Sequence, residues 1–235
     1  MDTARIALLL EPFLEESLGE SQLQHISIYI DLLNRWNARI NLTAIRNEDE
    51  MVTRHFGESL FLARHLFPAM DVSVERAHSP ANAESAGEES VDDLKHLVDV
   101  GSGAGFPALP LKIWAPETRL TLIESNHKKA TFLREVARTL TLTDVNVITE
   151  RAETAASNKA VPRGDVVTLR AVERFETILP HAAAFLTPGG TLALLIGESQ
   201  LPVLAAMPTI DWTAPMPVPQ SQSRVLSIGV LGKVG

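Results

Sequence analysis

Five residues, Gly101-Ser102-Gly103-Ala104-Gly105, carry the clearest chemical signal in this sequence. They follow the short apolar run Leu97-Val98-Asp99-Val100, and Pro107 to Ile113 reads as the first turns of a helix. Alternate glycines let the backbone turn sharply and leave no Cβ between it and a ligand, while the N–H groups of the following helix face the same space. A nucleotide-like ligand is the natural occupant, although such strings also occur as plain turns. Arg119 to Ile123 alternates as a second strand and ends on Glu124, about one β-α-β unit downstream, where a carboxylate can accept both hydroxyls of a ribose. The competing reading of Glu124 is a solvated acid at a strand end. A dinucleotide fingerprint needs its third glycine at position 106, which is Phe106, so the dehydrogenase reading fails at its own motif.

The elements that would hold these residues follow from pattern. Val145 to Ile148 is a third strand running into Glu150-Arg151-Ala152-Glu153, and Asp165 to Leu169 is a fourth, ending in Arg170-Ala171. A helix is expected from Phe175 to Leu186 and a fifth strand from Thr191 to Ile196. Five prolines between Leu201 and Gln220 imply a loose connection, and Arg224 to Leu231 alternates as a final strand. Between strands two and three, His127 to Leu142 is amphipathic, with Lys128 and Lys129 on its outer face. These lysines could meet RNA phosphate or be merely solvated. Upstream, residues 4 to 18 predict a short helix interrupted at Pro12. Ile26, Tyr29, Ile30, Leu33, Trp36 and Ile40 form one face of a second helix, and Asn47 with Glu50 starts a third that runs to Pro68. Arg54 and His55 sit early in that third helix. On periodicity alone the region is a cap over the sheet.

Chain length allows one α/β domain with an N-terminal addition. The expected organisation is a helical cap over 1–70, an acidic linker over 71–95 and a catalytic domain over 96–235, cap and core forming one compact unit. Glu75, Glu84, Glu88, Glu89, Asp92 and Asp93 in that linker supply much of the net charge of −8, which works against non-specific nucleic-acid binding, so any RNA contact must be a local basic patch. The sequence holds no cysteine, which excludes disulfides, zinc-cysteine sites and thiol nucleophiles. No apolar run reaches the length of a membrane span and no signal-like core is present, so a cytoplasmic protein is expected. No metal, membrane or DNA partner is expected, and the chain is expected to be a monomer.

The G-x-G-x-G string followed by Phe106 resembles the cofactor loop of class I S-adenosylmethionine-dependent methyltransferases. This resemblance implies an α/β Rossmann-like sheet, mostly parallel with one antiparallel edge strand, and the helical cap in front of it. Within the class, Trp36-Asn37, Ile40-Asn41-Leu42-Thr43, Arg54-His55 and Glu58-Ser59, together with VDVGSGAGFP, resemble the bacterial RsmG (GidB) family. Glu58 stands where the family has aspartate, Leu169 where it has serine, and Ile196 where many members carry a lysine.

The family resemblance implies methyl transfer from S-adenosylmethionine to N7 of one guanine, guanine 527 in the 530 loop, of bacterial 16S ribosomal RNA in the small subunit. It also implies that Gly101, Gly103, Gly105, Phe106, Glu124 and Arg170 hold the cofactor, with Ala152 and Glu153 at its adenine edge. Asn41, His55 and Arg170 would position the base or its phosphate, for Arg170 in competition with an ion pair to Glu153 or Glu173. Arg54, Lys128, Lys129, Arg151 and Arg224 would meet RNA. Guanine N7 has a lone pair and no proton to lose, so no general base is expected. The alternative is a methyltransferase with the same cofactor loop acting on a small molecule or protein.

Overall fold

Apolar runs too short to stand alone pair into one eight-stranded sheet in the computed structural model, which describes residues 1–67, 95–172 and 174–232. The strands are β1 (His96–Val100), β2 (Arg119–Ile123), β3 (Val145–Ile148), β4 (Gly164–Arg170), β5 (Leu186–Gly197), β6 (Ile210–Trp212), β7 (Met216–Pro217) and β8 (Arg224–Leu231). Their order is β3-β2-β1-β4-β5-β8-β6, with β7 also on β8. Strands β1 to β5 are mutually parallel, and β8 is antiparallel to β5. The sheet is thus mostly parallel, as expected, but its antiparallel strand is not the edge. β6 and β7 pair along the outer side of β8, so two short strands emerge from the proline-rich stretch that predicted only a loose connection. The chain leaves β3 at one edge and returns to β4 beside β1. That reversal opens a crevice at the carboxyl ends of β1 and β4.

The cap comprises α1 (Thr3–Leu10), α2 (Glu20–Asn37), α3 (Glu48–Met51) and α4 (Glu58–Leu66), with a π-helical turn at Val52–Gly57 joining the last two. Asn47 accepts from Glu50 N–H at 3.0 Å and starts α3 as predicted. Helices α5 (Ala108–Trp114) and α6 (His127–Thr139) lie against the sheet on the cap side, with α7 (Ala152–Ser157) and α8 (Phe175–Ala183) completing the core. The stretch expected to be a linker, 71–95, lies outside the described residues except for Lys95, and Glu173 lies outside them too.

One cluster of buried side chains runs from Ile6 and Leu10 of α1 through Ile30 and Leu33 of α2 to Leu109 of α5 and Phe132 and Leu133 of α6. Tyr29 is its pivot. Its ring stacks on Phe106 (centroids 5.3 Å apart, planes 5° apart) and meets Phe56 edge-on at 5.2 Å. Each such pair adds about 0.5–1.5 kcal/mol beyond its buried area. The Tyr29 hydroxyl, itself buried, donates to the Ala104 carbonyl at 2.5 Å, so the cap is bonded directly to the glycine turn. Tyr29→Phe leaves that carbonyl without its donor and is expected to cost about 1–3 kcal/mol, read as a shift in the urea midpoint. A variant as stable as the wild type would show that the contact contributes nothing.

Candidate functional site

At the end of β1 the chain turns through Gly101 and Ser102, whose N–H groups both donate to the Ile123 carbonyl of β2. Gly103 N–H then donates to Glu124 Oε2 at 2.8 Å, and Asn126 N–H donates to Glu124 Oε1 at 2.7 Å. The carboxylate that ends β2 is therefore buried, held by one backbone donor on each oxygen, and has a second lone pair on each for a ligand hydroxyl. The Asn126 side chain caps α6. Gly105 works in the opposite direction. A Cβ there would lie 2.4 Å from the Tyr29 hydroxyl oxygen and 2.5 Å from Leu109 Cδ1, so its bare Cα admits the cap rather than a ligand.

A cleft of about 600 Å³ opens above this turn. It is lined by Gly101, Gly103, Phe106 and Glu124, with Glu150, Ala152 and Glu153 following β3. Arg54 from the cap, Lys129 from α6, Arg151, Arg174 before α8, and Arg224 at the start of β8 line it as well. Glu124 is buried and Glu150 and Glu153 are half-buried, while Arg54, Arg151 and Arg174 are exposed. Glu150 Oε2 is buried without a hydrogen-bond partner among the described residues, which suits a ligand that brings donors or positive charge. Lys128 stays on the exposed face of α6 and does not line the cleft. Asn41 does not line it either; it is exposed, with its Oδ1 accepting from Arg46 at 3.4 Å. Ile196 is buried in the core, and Arg224, opposite Gly197 in the β5–β8 register, supplies a cation at that strand end.

His55 forms the wall between cap and turn. Its ring stacks on Phe106 at 4.6 Å, so His55, Phe106 and Tyr29 make one continuous stack. Nε2 lies 2.8 Å from Thr43 Oγ1, and Nδ1 lies 3.4 Å from Arg170 Nη2. A guanidinium can only donate, so Nδ1 is the acceptor and Nε2–H donates to Thr43. Burial first, then the positive charges of Arg170, Arg54 and Arg224, push the imidazole pKa down to about 3. Both ring nitrogens are occupied, and the ring is neutral.

Arg170, at the end of β4, is almost fully buried. Its Nη2 donates to Glu58 Oε2 at 2.9 Å and to the Arg54 carbonyl, and its Nε has no partner among the described residues. In place of the expected pair with Glu153, Arg170 pairs with Glu58, because the cap brings the first residue of α4 onto this strand end; Glu173 lies outside the described residues. The next residue, Ala171, has φ of +48°, a left-handed conformation that a side chain disfavours.

Sequence patterns did not single out Thr43, Glu58, Asp99 or Arg174. The first three lie inside the strings that carried the resemblance, while Arg174 had no local signal. Asp99 is fully buried on β1 and accepts from Thr168 Oγ1 at 2.6 Å, while its Oδ2 is unpartnered; burial pushes its pKa up to about 7.

The two shifts oppose each other in pH. Unfolded, His55 takes up a proton below 6.5 while the folded protein does not until about 3, so its contribution to stability falls as the pH drops from 6.5. Folded, Asp99 holds a proton below about 7 that the unfolded chain binds only below 3.8, so its contribution rises over that descent. The slopes, each up to about 1.4 kcal/mol per pH unit, cancel between roughly pH 6.5 and 4. Asp99→Asn removes the second alone. Relative to wild type, its stability is expected to fall by about 1 kcal/mol per unit of acidification in that window, in urea titrations at several pH values. Parallel curves would contradict the buried, neutral Asp99.

Among the described residues no group of histidines and acids could hold a metal, and no helix is long and apolar enough to cross a membrane. Comparison with known proteins places the molecule. The family model for GidB, rRNA small subunit methyltransferase G, matches residues 22–73 and 84–209. A protein of Chloroflexus aggregans named ribosomal RNA small subunit methyltransferase G is 42% identical over 190 residues, covering 80% of this chain and 70% of the relative. One of the same name from Roseiflexus castenholzii is 39% identical, covering 74% of this chain and 64% of its own length. Among solved structures, the fibrillarin pre-rRNA processing protein of Methanococcus jannaschii superposes with a TM-score of 0.50 at 16% identity, covering 60% of this chain and 68% of the other. At that identity the likeness concerns the fold alone, a Rossmann-like, mostly parallel α/β sheet. With its cap motif and its glycine turn both inside the matched residues, this chain belongs to the GidB family, rRNA small subunit methyltransferase G.

Proposed function

We propose that this protein transfers a methyl group from S-adenosylmethionine to N7 of a guanine in 16S ribosomal RNA of the small subunit, guanine 527 being the expected position. The observation that carries the reading is one cleft lined by charges of both signs: Glu124, Glu150 and Glu153, buried or half-buried, and Arg54, Lys129, Arg151 and Arg224, half-buried or exposed. S-adenosylmethionine, when bound, supplies an electrophilic methyl group on a sulfonium and two ribose hydroxyls. Glu124, already oriented by Gly103 and Asn126, would accept those hydroxyls, with Ala152 and Glu153 at the adenine edge and Phe106 below. Arg54 and Arg224, both accessible to solvent, would take RNA phosphate.

The chemistry asks for placement rather than proton transfer, since guanine N7 attacks with a lone pair it already has. His55 agrees with that. Held neutral with both nitrogens bonded, it is unsuited to act as a base, and it serves instead to fix Arg170 and the cap over the turn. Arg170, too buried to reach a phosphate in this arrangement, shapes the wall against which the base would rest.

The test is methyl-labelled S-adenosylmethionine incubated with the protein and small subunits lacking this modification, followed by digestion of the RNA to nucleosides. Label in 7-methylguanosine is the expected product. Cofactor binding without labelled RNA would contradict the reading and favour a small-molecule or protein acceptor, to which the net charge of −8 is better suited.

A further inference from the structure

Among the described residues, Glu58 is the carboxylate that two arginines of the cleft, Arg170 and Arg224, share. It is 2% exposed, opens α4 directly after the turn that carries Arg54 and His55, and has no role in the cofactor site. Its Oε2 lies 2.9 Å from Arg170 Nη2 and 3.6 Å from Arg224 Nη1. Those arginines leave strands β4 and β8, which are separated in the sheet by β5, where Arg170 pairs with Leu195 and Arg224 with Gly197. Two guanidiniums from strand ends that do not touch are therefore brought together by one acid from the cap. Without it, Arg170 would be a buried cation facing a second cation, with the Arg54 carbonyl and the His55 lone pair as its remaining acceptors.

We infer that Glu58 is a positioning residue for methyl transfer: it holds Arg170 and Arg224 as one cationic face over the cleft, so that the acceptor base is presented in a single geometry. This rests on the proposed function, in which those arginines border the RNA site.

A merely structural acid and a positioning acid predict different outcomes. Glu58→Gln keeps the shape and one acceptor for Arg170 but removes the charge. It adds net positive charge beside the cleft, so RNA should bind as tightly as before or a few-fold tighter, with a lower KM for RNA. The released arginines should misplace the base, so kcat should fall by about 30-fold or more. Cofactor affinity, read by calorimetry, should stay within about 3-fold, because Glu124 and its donors are untouched. Arg224→Gln should lower kcat as well, and the double variant should be no worse than Glu58→Gln alone, since an arginine already released has nothing more to lose.

A kcat within about 3-fold of wild type, additive losses in the double variant, or a loss of RNA and cofactor binding in parallel with kcat would each overturn the assignment. Should Glu58→Gln fail to fold, Glu58→Asp retains the charge and withdraws it from Arg170 and Arg224 alike by one methylene. A reduced kcat with wild-type RNA binding supports positioning, and an unchanged kcat overturns it. Wild-type protein inactive on small-subunit RNA would contradict the proposed function and this assignment together, whereas an active wild type with an indifferent variant contradicts this assignment alone.

Discussion

Arg170→Ala is expected to lower methyl transfer to RNA by about 100-fold or more while cofactor affinity changes by no more than a few-fold. The guanidinium touches Glu58, His55 and the Arg54 carbonyl on the cap and lies over the Phe106 ring at 5.9 Å, but it meets none of the groups that fix Glu124. Its removal leaves Glu58 buried with Arg224 as a more distant partner and frees the Nδ1 lone pair of His55. Breaking a buried pair from one side costs about 3 kcal/mol or more, and the approach of Arg224 offsets part of that, so the variant should remain folded at moderate temperature. Steady-state kinetics and calorimetry on one preparation separate the effects. Turnover within about 10-fold of wild type would show that the wall formed by Arg170 is not required for the reaction.

Gly105→Ala is expected to be the most destabilising single methyl group that can be added to the glycine turn. Gly105 has φ of +89°, and its Cβ would fall 2.4 Å from the Tyr29 hydroxyl and 2.5 Å from Leu109. Backbone strain and overpacking each cost about 1–3 kcal/mol, for a sum of roughly 3–5 kcal/mol. The Tyr29 ring cannot swing aside, because it is stacked between Phe106 and the edge of Phe56. Denaturant unfolding reads the loss, and a change below about 1 kcal/mol would mean that the cap can lift from the turn at little cost. By contrast, the Cβ of an alanine at Gly103 would meet no atom closer than 3.8 Å, so its penalty should be confined to backbone strain.

That contrast marks the limit of what the linear sequence displays. A strand, a glycine turn, a helix and a second strand ending in Glu124 are neighbours in sequence, and each is specified by local backbone preference and by pairing that a short apolar run announces. Gly103 and Glu124 were legible on those terms. Gly105 looks the same in sequence yet serves the cap, because what its side chain would meet is Tyr29, brought there by a helix whose pattern reveals only that one face is buried. Arg170 was visible as a cation at a strand end, but its partner Glu58 is 112 residues away and its burial depends on how the cap docks. Asn41 shared a string with Leu42 and Thr43; the turn after α2 places Thr43 on His55 and leaves Asn41 facing solvent. The short strands β6 and β7 escaped because prolines there argue for a loop, whereas pairing to the outer side of β8 tolerates them.

The central proposal, that one cleft lined by acids and cations holds the cofactor and presents guanine N7 to it, is tested most directly by borohydride and aniline scission of small-subunit RNA after incubation with the protein and S-adenosylmethionine. That chemistry cuts the chain where a guanine carries a methyl group on N7. The account predicts one new cut, at a single guanosine, absent when the cofactor is omitted and strongly reduced with Arg170→Ala. No new cut, or cuts scattered over many guanosines, would contradict it.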